Sequence, residues 1–218
     1  MKNNNTETKK FWDDHLHNWS SAYYKEYKNL SVLEKLAHIV RIKLIKNRED
    51  HVSKLLVNKI KKKRVLEIGC GSGIFSEKIL SMDPLHLTSI DISQVAISLT
   101  KSRLKKHQNY KKTNIYKGDI DEINLDLNNF DFIIALGVSQ YLTPITMSKV
   151  FFLSKSNFLF DYIKKELSLF NILHNIYRYL KFIGRKNNYP NYKKYSEKNL
   201  VELNKLNKNI FFLKKDNI

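Results

Sequence analysis

A single stretch, V-L-E-I-G-C-G-S-G at residues 65–73, limits the possible folds of this chain more than any other feature. Its first four residues are apolar except for Glu67, and this run is too short for a helix and right for a buried strand. Three glycines then remove side chains where the backbone must turn sharply and approach a ligand closely, namely Gly69, Gly71 and Gly73. Apolar residues resume at helical spacing from Ile74 to Leu80. The sequence therefore predicts a strand, a turn and a helix whose N-terminus points at whatever lies over the turn.

The spacing of these glycines, G-x-G-x-G, distinguishes the turn from two other ligand-binding turns. Ile74 occupies the position at which a dinucleotide-binding fingerprint has its third glycine. No Gly-Lys-Ser/Thr follows, so the stretch is not a phosphate-binding loop. Glu67 lies inside the strand just before the turn. An acid there repels a pyrophosphate but suits a ligand that carries a positive charge.

Residues 65–73 resemble motif I of the class I S-adenosylmethionine (SAM) dependent methyltransferases, in which a strand ending in Glu or Asp precedes G-x-G-x-G. The resemblance continues to Leu142 and rests on several spaced motifs. It implies an α/β fold, a Rossmann-like methyltransferase sheet with helices on both faces. It also implies SAM as the cofactor and a small molecule as the methyl acceptor. The sequence suggests no metal site.

The second predicted strand, Leu87 to Ile90, ends at Asp91, 24 residues after Glu67. An acid at this distance lies where it can reach a ribose from the neighbouring strand tip. A carboxylate accepts from both ribose hydroxyls at once. The alternative is that Asp91 is only a turn residue at the strand end, and the spacing favours the ribose.

Two further strand ends match the family pattern. The family has an acid that accepts from the adenine amino group and an apolar residue that covers the ring, and Asp119 and Ile120 match them. The neighbouring acids at 121 and 122 leave this register open by a residue or two. The fourth strand, F-D-F-I-I-A-L at 130–136, is predicted to end beside the methionine part of SAM. The predicted cofactor-binding residues are Glu67, Gly69, Cys70, Gly71, Gly73, Asp91, Ile92, Asp119, Ile120, Leu136 and Gly137.

Residues 1–60 are predicted to form an aromatic-rich helical extension ahead of a SAM-binding domain at 61–218. The aromatic residues between 11 and 27 either pack on the flank of the domain or form a lid over the ligand cleft. A capping box from Ser31 to Glu34 predicts one helix, and a second is predicted from about Glu49 to Lys59 with Val52, Leu55, Leu56 and Ile60 inward. Arg48 opens this second helix. In related methyltransferases such an arginine can bind the SAM carboxylate, but the surface interpretation is favoured here.

The last third of the chain predicts a fifth strand at 158–162, a sixth at 210–213 and helices at 166–183 and about 196–206. The helix at 166–183 is apolar and basic, and it either covers the substrate pocket or lies on an anionic membrane surface. The cover is favoured. No stretch matches the family's last strand, which normally pairs antiparallel at this edge. The C-terminus is therefore predicted to be truncated or degenerate.

Net charge gives a second, weaker indication of function. A formal charge of +18 suggests an anionic partner, either nucleic acid or a membrane surface. The basic residues are dispersed, however, and abundant Lys, Asn and Ile favour a compositional bias.

No apolar run approaches the roughly 20 residues of a membrane span, and the N-terminus lacks the apolar core of a signal peptide. With Cys70 as its sole cysteine, the chain is predicted to be cytoplasmic.

The favoured function is methyl transfer from SAM to a small molecule. RNA or DNA methylation is one alternative. Against it, the fourth strand ends in Leu-Gly-Val-Ser, whereas branches that methylate base nitrogens carry an Asn/Asp-Pro-Pro-aromatic box there. A protein that binds SAM or another nucleoside without turnover is the other. Because SAM brings its own electrophile, no nucleophilic triad is required. The plausible general bases are His15, His17 and His174, and none is assigned.

Overall fold

The computed structural model describes residues 6, 8–16, 32–142, 146–147, 150, 157–162 and 210–214. Helix α1 covers residues 8–16, followed by α2 (Val32–Ile60), α3 (Ile74–Ser81) and α4 (Gln94–Leu104). The strands are β1 (Arg64–Ile68), β2 (His86–Asp91), β3 (Thr113–Lys117), β4 (Phe132–Ala135), β5 (Asn157–Tyr162) and β6 (Ile210–Lys214). Short 3-10 turns lie at Tyr110–Lys112, Leu127–Asn129 and Ser139–Tyr141.

The described strands form one six-stranded sheet in the order β3-β2-β1-β4-β5-β6, with every pair parallel. β1 is central and pairs with both β2 and β4. The strand order therefore reverses beside β1. In sheets of this kind ligands bind outside the carboxyl ends of the strands at such a reversal. The predicted Rossmann-like fold is confirmed, and the glycine turn after β1 lies at the expected binding edge.

Both faces of the sheet are covered. On one face α2, α3 and α4 bury apolar side chains against β1, β2, β4 and β5. On the other face the helical residues Met147 and Val150 pack with Leu66, Ile68 and Phe158. Near-continuous apolar strands such as β4, F-I-I-A, are typical of parallel sheets that are buried on both sides. Helices on both faces were predicted, and the structure has them.

The two helices predicted between 31 and 59 are one continuous helix, α2. The polar stretch around residue 48 suggested a boundary, but it contains no glycine or proline, and nothing else there breaks the backbone hydrogen bonds. Val52, Leu56 and Ile60 are fully buried, as expected for residues four apart on one face. Leu55, predicted to face inward, is 40% exposed.

The sixth strand lies at Ile210–Lys214, close to its predicted position, and pairs directly with β5. No antiparallel strand occurs among the described residues. β4 covers Phe132–Ala135 and is shorter than predicted. The preceding Asp131 is still tied to β1, because its N–H donates to the Arg64 carbonyl and its carboxylate accepts from the Arg64 N–H, both at 2.8 Å. The predicted helices at 166–183 and 196–206 lie outside the described residues. Within the described part of the chain, no helix has the length and apolarity needed to span a bilayer.

Candidate functional site

The glycine turn is fixed to the tip of the neighbouring strand. The backbone N–H groups of Gly69 and Cys70 both donate to the Ile90 carbonyl, at 2.8 and 3.2 Å. All three glycines of the turn have left-handed backbone conformations, with φ of 77°, 56° and 76° in chain order. Residues with a side chain rarely adopt such angles, so the turn requires glycine for its path alone.

The space around the three glycines differs, and this difference shows which of them is needed for packing and which could face a ligand. A Cβ on Gly69 would lie 2.7 Å from the Val138 Cβ, and one on Gly73 would lie 2.8 Å from the Thr100 Cα. A Cβ on Gly71 would have no described atom within 4 Å. Gly69 and Gly73 therefore allow close packing inside the protein. Gly71 faces open space at the carboxyl edge of the sheet.

Helix α4 holds the turn from the other side. The Thr100 hydroxyl donates to the Gly71 carbonyl at 3.2 Å, and Arg103 Nε donates to the Ser72 carbonyl at 3.0 Å. Arg103 also forms an ion pair with Glu77 at 3.5 Å. Arg103 lies in a basic run of the sequence with Lys101, Lys105 and Lys106, a pattern typical of a solvated helix face. It instead links α4 to the turn and to α3, because its long side chain reaches back across the helix surface.

Glu67 is buried beneath the turn, with 4% of its surface exposed. Its Oε2 accepts from the hydroxyls of Ser76 at 2.5 Å and Ser89 at 2.7 Å, so it joins β1 to α3 and β2. Burial raises the pKa of this carboxyl from 4.5 to about 7, although the two serine hydrogen bonds lower it. Glu67 therefore titrates near neutral pH, below the point where a cationic ligand was predicted to bind.

Replacing Glu67 by glutamine should change how stability depends on pH. Between about pH 4.5 and 7, folded Glu67 keeps a proton that the unfolded chain has released, so the free energy of unfolding falls as pH rises. The Glu67→Gln variant does not titrate, and its amide oxygen still accepts from the serines. As pH rises across this window, the free energy of unfolding of the variant should increase by about 3 kcal/mol relative to that of the parent, at about 1.4 kcal/mol per pKa unit. Urea unfolding of both proteins at about pH 5 and 8 measures the difference. A difference that stays constant with pH would contradict the raised pKa.

Asp91 lies at the tip of β2, where its carboxylate bridges two backbone N–H groups. Oδ2 accepts from Gly71 at 2.9 Å, and Oδ1 accepts from Ser93 at 2.9 Å. Desolvation raises the pKa of Asp91, and these hydrogen bonds lower it. A carboxylate has about four acceptor positions, so both oxygens retain capacity for a ligand hydroxyl. The structure thus joins the predicted ribose acceptor directly to Gly71, the glycine that faces open space.

The residues predicted to surround the adenine follow β2 and β3. Ile92 is half-buried beside Asp91, and Asp119 is half-buried with one carboxylate oxygen accepting from the Asp121 N–H at 3.0 Å. Ile120 is 4% exposed and belongs to the core on the Met147 face. Asp121 accepts from the Thr146 hydroxyl. The role of Asp119 as the acid beside the adenine stays a prediction.

The remaining predicted site residues differ in what their side chains can contact. The Cys70 side chain is buried in the core, and desolvation raises its pKa well above the usual range. Only its backbone can face a ligand, so it is not a nucleophile. Leu136 is half-buried against the core on the α2 face, and Gly137 has φ of 72° at the tip of β4.

Sequence reasoning missed one carboxylate at this edge and misjudged its partner. Asp161, at the end of β5, is fully buried and accepts from Arg48 Nη1 at 3.1 Å. Arg48 is thus not a surface arginine, since only 20% of its side chain is exposed. Two signals were available. Arg48 lies four residues before Val52 on the buried face of α2, and Asp161 is the charged residue in the otherwise aromatic and apolar run F-L-F-D-Y.

Helix α1 lies against the loops that follow β2 and β4. Asp13 accepts from the Ser93 hydroxyl at 2.6 Å and from the Val95 N–H at 3.5 Å. Trp12 meets the edge of Tyr141, with ring centroids 5.7 Å apart. His15 Nδ1 lies 2.9 Å from the Phe11 carbonyl. Because Ser93 follows Asp91 and Tyr141 follows Gly137, α1 contacts both sides of the candidate cleft.

Comparison with known proteins agrees with this geometry. Residues 65–152 match the family model described as a methyltransferase domain. The chain is 28% identical over 129 residues to a malonyl-[acyl-carrier protein] O-methyltransferase of Bacillus cereus, covering 59% of this chain and 42% of that protein. It is 24% identical over 93 residues to a ribosomal protein L11 methyltransferase of Ruminiclostridium cellulolyticum, covering 43% and 29%. The chain thus spans less than half the length of these curated relatives.

Among solved structures, the fold is similar to magnesium protoporphyrin IX methyltransferase from Synechocystis PCC 6803 with bound S-adenosylhomocysteine. The TM-score is 0.66 at 16% identity, covering 91% of this chain and 86% of that one. The sheet order defines a Rossmann-like domain, with the glycine turn joined to Asp91 at the strand reversal. The match over residues 65–152 agrees with the predicted resemblance to the class I SAM-dependent methyltransferases. The predicted fold is therefore confirmed, and residues 65–152 have the predicted similarity to a methyltransferase domain.

Proposed function

We propose that this protein transfers a methyl group from SAM to a small-molecule acceptor. The observation that carries the proposal is the link between Gly71 and Asp91, because it places an open glycine and a carboxylate acceptor side by side at the strand reversal. The methionine end of SAM then lies over Gly69 to Gly73, and the ribose hydroxyls donate to Asp91. Asp119 and Ile120 follow on the adenine side, and Leu136 and Gly137 lie on the methionine side.

The protein's own contribution to the chemistry is placement of the reacting groups. SAM supplies an electrophilic methyl on a cationic sulfur, so the protein has to hold an acceptor in line with it and manage one proton. Within the described residues, no cluster of His, Cys, Asp and Glu has the geometry of a metal site. His15, on helix α1, is a candidate general base for the acceptor's proton. If its Nδ1 carries the proton and donates to the Phe11 carbonyl, Nε2 is left with a lone pair.

Helix α1, within the predicted extension at 1–60, supports the lid interpretation over the flank interpretation. Its contacts reach Ser93 on the ribose side and Tyr141 on the methionine side, so the helix bridges the cleft. Aromatic side chains from α1 and from the loop after β4 then lie next to each other. A small acceptor with an apolar or aromatic surface fits such a boundary better than a duplex nucleic acid does. Cytoplasmic location stays a prediction.

Two experiments test the proposal. The first is calorimetric titration with SAM and S-adenosylhomocysteine, using the parent protein and Gly71→Val. A branched side chain at Gly71 enters the open space and should weaken both ligands by at least about tenfold, equivalent to about 1.4 kcal/mol. Circular dichroism and thermal melting check that the variant is folded. Equal affinities in a folded Gly71→Val protein would contradict this placement of the cofactor.

The second experiment identifies the acceptor class. The protein is incubated with SAM carrying a radioactive methyl group and with an extract of its source cells, and the label is then traced to small-molecule, protein or nucleic-acid fractions. We expect label in the small-molecule fraction, and clearly less of it with Gly71→Val. Label transferred to RNA in an incubation at physiological salt would favour the nucleic-acid alternative. The salt matters because RNA binding that depends on net charge alone weakens as salt rises. Binding of SAM with no label in any fraction would favour a non-catalytic SAM-binding protein.

A further inference from the structure

Asp161 stands out because its carboxylate is fully buried at the functional edge of the sheet. Its neighbours along β5 are the buried residues Leu159 and Phe160. An ionised carboxylate in such surroundings is costly unless it is paired and hydrogen-bonded. Its partners therefore indicate what keeps it in place.

Three residues from two separate parts of the chain donate hydrogen bonds to Asp161. Oδ2 accepts from Arg48 Nη1 of α2 at 3.1 Å, and Oδ1 accepts from the Gly137 N–H at 2.6 Å. The Asp161 backbone carbonyl accepts from the Ser139 hydroxyl. The residue thus joins α2 to the tip of β4 and to the turn that carries Tyr141.

The two side-chain contacts determine the shape of the β4 tip. Gly137 has a left-handed conformation with φ of 72°, and its N–H is directed at Asp161. Arg48 Nη1 lies 3.9 Å from the position that a Cβ on Gly137 would occupy, so the guanidinium lies against the same peptide. Arg48 Nε is buried and makes no hydrogen bond within the part of the chain that the structure describes. Asp161 therefore holds both a backbone turn and a planar donor group in fixed positions.

We propose that Asp161 is a positioning residue for the methionine end of the cofactor. It acts through Arg48 and Gly137, the two groups that its carboxylate holds at the β4 tip. The inference rests on the proposed function, because it assumes that the methionine part of SAM lies at the β4 tip. Since the carboxylate balances the guanidinium charge, Arg48 contributes directed N–H donors here more than net positive charge.

The test compares two ligands that differ only at the methionine end. S-adenosylhomocysteine carries the aminocarboxyl chain, whereas 5′-methylthioadenosine has the adenine, ribose and sulfur without it. Calorimetry with both ligands is performed on the parent, on Asp161→Asn and on the double variant Arg48→Met with Asp161→Asn. The double variant removes both charges together and so avoids leaving a buried charge unpaired, which keeps the test available if Asp161→Asn does not fold.

We expect both variants to bind S-adenosylhomocysteine at least about tenfold more weakly while affinity for 5′-methylthioadenosine changes little. The matched control is Glu49→Gln, one position along α2, which removes a buried carboxylate paired with Lys78 at 2.9 Å on α3. It should change the two affinities equally or not at all. Equal weakening of both ligands in the Asp161 variants would overturn the positioning role. Failure of the parent to bind either ligand would instead overturn the proposed function.

Discussion

Replacing Asp91 by alanine should lower the affinity of the protein for S-adenosylhomocysteine by roughly ten- to a thousand-fold. Hydrogen bonds to a charged acceptor contribute about 1.5–3 kcal/mol each, and about 1.4 kcal/mol corresponds to tenfold in affinity. Two effects add in this variant. The ribose hydroxyls lose their acceptor, and the Gly71 N–H loses the bond that holds the open glycine in place. The readout is calorimetry at fixed pH and ionic strength.

The control for this prediction must lose a comparable backbone contact away from the cleft. Asp126 meets that requirement, since its carboxylate accepts from the Asn128 N–H at 3.0 Å, much as Asp91 accepts from Ser93. Asp126→Ala should lower the melting temperature no more than Asp91→Ala does, because it loses one backbone contact where Asp91→Ala loses two, and it should leave ligand affinity unchanged. If Asp91→Ala binds S-adenosylhomocysteine as tightly as the parent, the ligand does not place its ribose at the β2 tip.

Replacing Gly73 by alanine should destabilise the fold far more than the same change at Gly71. At both positions alanine must adopt a left-handed conformation, which costs about 1–2 kcal/mol. At Gly73 the new Cβ also meets the Thr100 Cα at 2.8 Å, a backbone atom that moves only if α4 moves. At Gly71 no described atom lies within 4 Å. We expect a total loss of about 3 kcal/mol or more at Gly73, since overpacking adds about 1–3 kcal/mol.

Thermal melting of the two variants separates backbone strain from packing. For a chain of this size, 1 kcal/mol lowers the melting temperature by about 2–4 °C. Gly73→Ala should therefore melt at least about 6 °C below the parent and clearly below Gly71→Ala. Equal losses at the two positions would mean that α4 does not lie against the turn as described. Ligand binding should show the opposite order in the folded fraction, because only Gly71 faces the cleft.

The order of strand, glycine turn and helix could be predicted because it depends on residues that are close together in the sequence. The strand, the glycine turn and the helix that follows it lie next to one another in the sequence, and the structure has all three. The helix boundary predicted near Arg48 was wrong, because that prediction also depended on local sequence alone. Local polarity suggested a helix end, whereas burial of Val52, Leu56 and Ile60 along one face keeps α2 continuous.

What the sequence did not show are the contacts between residues that are distant in the chain. Asp161 and Arg48 are 113 positions apart, and Asp13 and Ser93 are 80 apart. Neither pair follows from spacing or periodicity, since each depends on how the strands are ordered. Glu67 illustrates a further limit. Its place before the turn was evident, but its burial between two serines, and hence its raised pKa, depends on register between β1 and β2.

The continuity of α2 also sets the walls of the cleft. Ile60 packs in the core just before β1 begins, and Arg48 reaches the opposite, carboxyl edge at Asp161. At 1.5 Å per residue, the turns between them span about 18 Å, and the helix continues from Asn47 back to Val32 for about 24 Å more. A helix that continues this far beyond Arg48 extends past the carboxyl edge of the sheet. Under the proposed function, an acceptor has to approach the β4 tip from a side that α2 does not occupy, so the helix that anchors the sheet also restricts the route of entry.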